Sequence, residues 1–319
     1  MSKMKIGTTV AALVMTLGAS FAVYAQDNSN STETKLKDVN PAANKVQGAE
    51  DVDDVLTNAN LRAMSGSTSR WSIASSFTYD GGTMAAPFAE SRPNIAGASA
   101  TSTDTDLNGQ LNIKFNINSF HSLLLGFGIR KMAPFVTSGP SKGFYDQGGK
   151  DMDAFDPTFT YQYIYKLGVI QSVLQVGLVQ YTRQDIASSQ GGNLNQGLSL
   201  DQENIIDIGT TGLSVGGSIG VAGNSPTDSS VDYSRLQYWF APYAEYKLTE
   251  KVNLRTVSNL WMYEFYPQSG WTHDTVTQSV GVGFSVTRDI FLYPNVQFLP
   301  DHVTAGLTNV GVTATVNLF

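Results

Sequence analysis

Cysteine is absent from the 319-residue chain, which excludes disulfides, thiol catalysis and cysteine-bound metal. Histidine occurs only three times, too sparsely for a rich metal site. Charged residues reach only 15%, against about 25% in an average soluble domain. A disordered chain would be rich in charge and poor in aromatics, and here 11% of residues are aromatic. The net charge is −7 with no basic cluster, so nothing offers a nucleic-acid footprint. Beyond residue 22 no stretch approaches the roughly 20 apolar residues that a membrane helix needs.

The one long apolar run stands at the start. Lys3 and Lys5 precede residues 8–22, and Val23-Tyr24-Ala25 places small residues where a signal peptidase reads them. This predicts a secretory signal over residues 1–25, cleaved before Gln26. Losing the two lysines leaves 18 basic against 27 acidic side chains, a mature charge of −9.

In place of apolar helices the chain alternates. Leu107, Leu111, Ile113, Phe115 and Ile117 share one parity, while Asn108, Gln110, Asn112, Lys114 and Asn116 share the other. Strand side chains point alternately to opposite faces, so such a segment is oily on one face and wet on the other. The pattern returns around Phe159–Lys166, along residues 235–248, and from Val276 to Thr287. About twelve strands are expected, near 69–79, 104–117, 122–133, 156–166, 170–182, 197–207, 212–222, 232–248, 252–265, 275–287, 290–298 and 308–319. Their connections alternate strictly between short and long, which is the sign of an up-and-down barrel. Backbone groups at an open sheet edge would go unpaired in lipid, so a spanning sheet must close. The expected fold class is therefore all-β, a transmembrane antiparallel barrel over residues 69–319.

With its secretory signal and terminal Phe319, the chain resembles the bacterial outer-membrane β-barrel superfamily, porin-like members of about twelve strands. The resemblance implies residence in the outer membrane of a Gram-negative cell, contact with lipid and lipopolysaccharide, and recognition of Phe319 by the barrel assembly machinery. The ending departs from the usual pattern. Asn317 and Thr315 stand where apolar residues are usual, and Val310, Val312, Ala314, Val316 and Leu318 hold the other parity.

Two pieces precede the barrel. Residues 26–47 are rich in Asn, Ser, Thr and Lys and read as a flexible periplasmic linker. Residues 48–66 carry Glu50, Asp51, Asp53 and Asp54 ahead of Val55, Leu56, Leu61 and Met64, then Ser65-Gly66. Acids in a first turn and Gly past the last apolar residue predict a helix of about 15 residues that needs a surface to dock on.

Parity assigns the charges. With the oily face outward, Arg70, Lys114, Arg130, Lys166, Arg235, Lys247 and Arg255 line the lumen against Glu245 and Asp106, since Arg or Lys on the lipid face costs about 2–4 kcal/mol at the midplane. A basic lumen predicts a porin-like channel for passive diffusion of small polar or anionic solutes. The alternative is a structural or adhesion barrel closed by side chains and the N-terminal segment. Glu50, Asp51, Asp53 and Asp54 are expected to meet Arg70, Lys166, Lys247 and Arg255 as a salt-sensitive plug. Gly212, Gly216 and Gly220 are read as inward residues that leave room in the lumen. Trp71, Tyr79, Tyr163, Tyr165, Trp239, Tyr246, Trp261 and Tyr263 are read as interfacial girdle. No enzyme is expected: His121-Ser122 sits on a turn, and Asp228, Asp232, Asp274, Asp301, His273 and His302 form no defensible site. No catalytic residue, cofactor or metal is assigned.

Overall fold

The computed structural model describes residues 52–96, 102–136, 152–182, 194–227 and 232–319. The expected signal and linker lie outside them, as do Glu50, Asp51 and Asp228. Two short helices, α1 (Val52–Val55) and α2 (Ala59–Ser65), lead into β1 (Trp71–Thr83). A small hairpin follows, β2 (Ser91–Pro93) with β3 (Ser102–Asp104). The chain then runs through β4 (Asp106–Asn116), β5 (His121–Met132), β6 (Met152–Leu167), β7 (Ile170–Gln180), β8 (Leu194–Asp207), β9 (Leu213–Pro226) and β10 (Leu236–Lys247). After them come β11 (Val252–Asn259), β12 (Trp261–Tyr266), β13 (Gly270–His273), β14 (Thr277–Thr287), β15 (Ile290–Phe298) and β16 (Asn309–Leu318). Each wall strand pairs antiparallel with its neighbours, and β16 returns to β1, so the sheet closes into a barrel.

The wall has twelve staves because β11 and β12 are one strand with an extra residue. Tyr243 faces Val257, but Phe240 faces Trp261, so one residue more is used on the second strand between these pairs. A bulge of this kind flips the parity of everything beyond it. Tyr263 and Phe265 therefore share the outer face with Leu254, although they differ from it in parity.

Register explains the outer face. Leu318, Ile73, Ile113, Leu125, Phe159, Leu178 and Leu198 stand directly opposite one another across seven consecutive strands. Most are exposed, Leu125 at 62% and Ile113 at 58%. A continuous apolar belt on a closed barrel is stable in lipid and would aggregate in water. The protein is an outer-membrane-type β-barrel. The odd ending is thereby explained: Val312, Ala314, Val316 and Leu318 face outward beside Tyr79, Phe77, Ser75 and Ile73, and Asn317 faces in.

Aromatic clusters border the belt. Trp71 packs on Phe115 at one rim, where His121 also stacks on Tyr163 and Tyr163 on Tyr165. At the other, Tyr79 meets Phe88 and Phe135. Trp239 departs from its girdle reading. It opposes Gly220 and Met262, between outward Tyr238 and Phe240, and faces the lumen.

Candidate functional site: the barrel lumen

The turn-rim end of the lumen is filled by residues 52–69, which touch wall strands all round it. The expected single helix is two. Thr57 and Asn58 interrupt it, their N–H groups both donating to Gln171 Oε1 on β7, at 2.8 and 3.1 Å. Asn58 then caps α2 by accepting from Leu61 N. Gly66 ends α2 with φ +81°. That left-handed turn favours glycine, and Lys114 Nζ stands 2.7 Å from where a Cβ would sit.

An apolar seat receives the segment. Val52, Leu56 and Leu61 bury against Ile164, Val173, Ile205 and Tyr243, inward residues of β6, β7, β8 and β10. Burying a leucine fully is worth about 1.5–3 kcal/mol, and Leu56 and Leu61 are both 0% exposed. Around this seat the wall bonds to the segment's backbone. Lys114 Nζ donates to Ser65 O, Asn317 Nδ2 to Ala63 O at 2.8 Å, and Gln162 Nε2 to Met64 O at 3.2 Å. Asn116 Nδ2 donates to Ser67 O and Ser69 O at 2.9 and 2.6 Å. Asn58 Nδ2 donates to Glu245 Oε2 at 2.8 Å.

Among the described residues the segment forms an ion pair with Arg288, which parity alone did not single out. Arg288, in the tight β14–β15 turn, donates from Nε to both carboxylate oxygens of Asp53 at 2.9 Å and from Nη1 to Gly66 O at 2.7 Å. Burial alone would lower the Arg288 pKa; Asp53 and Asp289 more than reverse this and raise it. Its signal was a lone cation in a two-residue turn facing an acidic segment, hidden because Arg288 lies outside any alternating run.

The candidate lumen cations are placed differently from the reading. Arg70 is exposed and lies over the outward Phe115 ring, 5.5 Å from its centre, because it precedes the strand and swings out at the rim. Lys166 is exposed at the end of β6, and Lys247 reaches Glu250 in the adjoining turn at 2.8 Å. Arg235 is exposed just ahead of β10. Lys114, Arg130 and Arg255 do face inward, but none is free. Arg130 pairs with Asp106, Arg255 with Glu245 and, at 3.9 Å, Glu203, and Lys114 is buried beneath Ser65. The ion pair described for Asp53 is with Arg288, not with Arg70, Lys166, Lys247 or Arg255. Asp54 sits in α1.

At the loop rim the β2–β3 hairpin folds over the β1, β14–β16 side. Arg92 pairs with inward Asp80 at 2.6 Å and donates to Gln297 at 2.9 Å, while Asn309 Nδ2 donates to Pro93 O at 3.0 Å. The opposite side, from β4 to β10, keeps a cavity of about 550 Å³. Its lining includes Gln110, Thr160, Gln175, Ser199, Gln237 and Asp201 beside Phe155, Val179 and Trp239, and among the described residues no lysine or arginine. Of the three glycines expected to leave space, Gly212 lies in a turn, Gly216 is covered by Tyr243, and Gly220 by Trp239.

His273 and His302 are both exposed, and no group of three potential metal ligands gathers among the described residues.

No family model matches the chain, and no curated protein is similar to it. Solved structures resemble it weakly. An outer-membrane channel from Pseudomonas putida F1 aligns at 14% identity and a TM-score of 0.48, covering 79% of this chain and 97% of that one. The KdgM porin in complex with disordered oligogalacturonate aligns at 9% and 0.38, over 78% and 98%. Salmonella typhi OmpF in complex with daunomycin aligns at 8% and 0.34, over 78% and 95%. All lie below a TM-score of 0.5, so the barrel's own geometry has to carry the function.

Proposed function

We propose that the protein is a passive outer-membrane channel for small polar solutes, closed at rest by residues 52–66 in its periplasmic mouth. Barrels of this type place short turns in the periplasm and long loops outside, which sets the segment on the periplasmic side. One observation carries the reading: a cavity lined by amides and hydroxyls together with Phe155, Val179 and Trp239 stands above a mouth that the segment occupies. A barrel serving only as scaffold has no need of a polar cavity over a separable stopper. The cations expected to attract anions are paired, buried or at the rim, so polar solutes are retained in the reading and anions lose their support.

The wall seats the stopper through apolar burial and hydrogen bonds. Residues 67–70 join it to β1, so the segment stays tethered when undocked. Each buried apolar side chain contributes about 1.5–3 kcal/mol and each hydrogen bond about 0.5–1.5 kcal/mol, so the segment rests docked. The test is single-channel recording of the full chain and of a chain lacking residues 48–66. The proposal expects small or rare openings for the first and steady, severalfold larger currents for the second. Silence from both would establish the closed structural barrel instead.

A further inference from the structure

The cavity holds a carboxylate without a cation. In the β7–β10 wall, Gln175 opposes Asp201, Asp201 opposes Gly220, and Gly220 opposes Trp239, all in one lateral row facing the lumen. Strands lie about 4.8 Å apart, so Asp201 and Trp239 stand two spacings apart with a bare glycine between them. The indole fills that gap: three of its atoms fall within 2.8 Å of where a Gly220 Cβ would be. Any larger residue at 220 would push the ring off the wall. Glycine there lays an aromatic surface beside a carboxylate.

The charge around this pair is one-sided. Glu203 and Glu245 share Arg255, Asp106 has Arg130 and Asp80 has Arg92, while Asp207 and Glu264 are held by neutral amide and hydroxyl donors outside the cavity. Asp201 pairs with no lysine or arginine among the described residues, and its one side-chain hydrogen bond is from Ser199. The remaining ionisable carboxylate on the cavity wall, Asp156, is engaged by the backbone N–H of Thr182. Gln110, Gln175 and Gln237 supply neutral acceptors around the space. A cavity of about 550 Å³ lies within the range of small-molecule sites.

From this geometry we infer that Asp201 and Trp239 form a binding subsite for small organic ammonium ions, so that the channel favours cations over anions. An ammonium group over an indole is attracted by the ring's negative face, and a flanking carboxylate adds direct charge pairing. An anion would meet the carboxylates of Asp201 and Asp156 with no lysine or arginine beside them among the described residues. A bare metal ion would leave the aromatic surface unused. The inference rests on the channel reading for its transport meaning, but binding itself needs no current.

The probe is choline, titrated into the purified full-length protein in detergent and followed by ligand-observed NMR, with glucose and acetate as comparison probes. Choline is expected to bind in the millimolar range. Asp201→Asn, which preserves shape, should weaken it about tenfold, Trp239→Phe severalfold, and Asp201→Glu least. Unchanged choline binding in Asp201→Asn would overturn the subsite, as would no choline binding at all. Glucose binding with choline rejected would make the cavity a carbohydrate site instead. Current is recorded separately on the chain lacking residues 48–66: a silent barrel that still binds choline defeats the channel, while a conducting barrel that ignores choline defeats the subsite.

Discussion

The two ends of the lumen solve opposite problems with the same wall. At the turn rim, inward positions of β6, β7, β8 and β10 include the apolar Ile164, Val173, Ile205 and Tyr243, and a segment from the same chain covers them. Toward the loops the β4–β10 side surrounds a cavity with amides, hydroxyls and a few apolar side chains, and among the described residues Asp201 there has no cation. Apolar inward residues are out of place in a water-filled pore, so their presence at one end marks a docking surface. Unpaired charge is out of place in a packed core, so its presence at the other marks a space kept for solute.

The sharpest way to break this contrast is Leu61→Asp. It puts a charge into a seat with no partner, a change of several kcal/mol. The segment should undock, giving steady single-channel openings and rapid trypsin cleavage after Arg62, with the heat stability of the barrel preserved. If Arg62 stays protected, the seat is not what holds the segment. Arg288→Ala comes next. It removes charged hydrogen bonds to Asp53 and Gly66 O, about 1.5–3 kcal/mol each, and should yield flickering rather than steady openings.

A smaller effect is expected from Gly220→Ala, which acts only in the open half. It should displace Trp239 and alter choline binding severalfold while the trypsin resistance of Arg62 stays as in the parent. A change in protection would mean that the two halves are coupled. Least of all should follow from Lys247→Ala, whose exposed pair with Glu250 is worth about 0–1 kcal/mol. High salt belongs at this end of the scale too. The reading of the segment as held by four exposed acid–base pairs expects salt to open it, whereas apolar burial and backbone hydrogen bonds are little screened. Conductance of the full chain should therefore change with salt only as the bulk electrolyte does.

Twelve wall strands, the outward belt and the inward faces were legible in the chain because alternation is local: each residue's face follows from its neighbour's. The same locality explains where parity misled. It carried no sign of the bulge between β11 and β12, because an inserted residue alters the partner, not the sequence period. Trp239 was grouped with the girdle by residue type, although its parity already set it inward beside Tyr238. Gly66 as a helix stop was readable, since its left-handed turn is a local demand.

What the lumen contains could not be read in that way. Arg288 and Asp53 are 235 positions apart, and Asn317 and Ala63 254. Sequence alone determined that inward charges exist and that an acidic, partly apolar segment precedes them. Closure of the sheet decided which cation meets which acid, because side chains across a barrel are neighbours only through the register of every strand between them. By that register Arg255 is taken by the wall, Asp53 falls to Arg288, and Asp201 is left facing the cavity with an indole beside it.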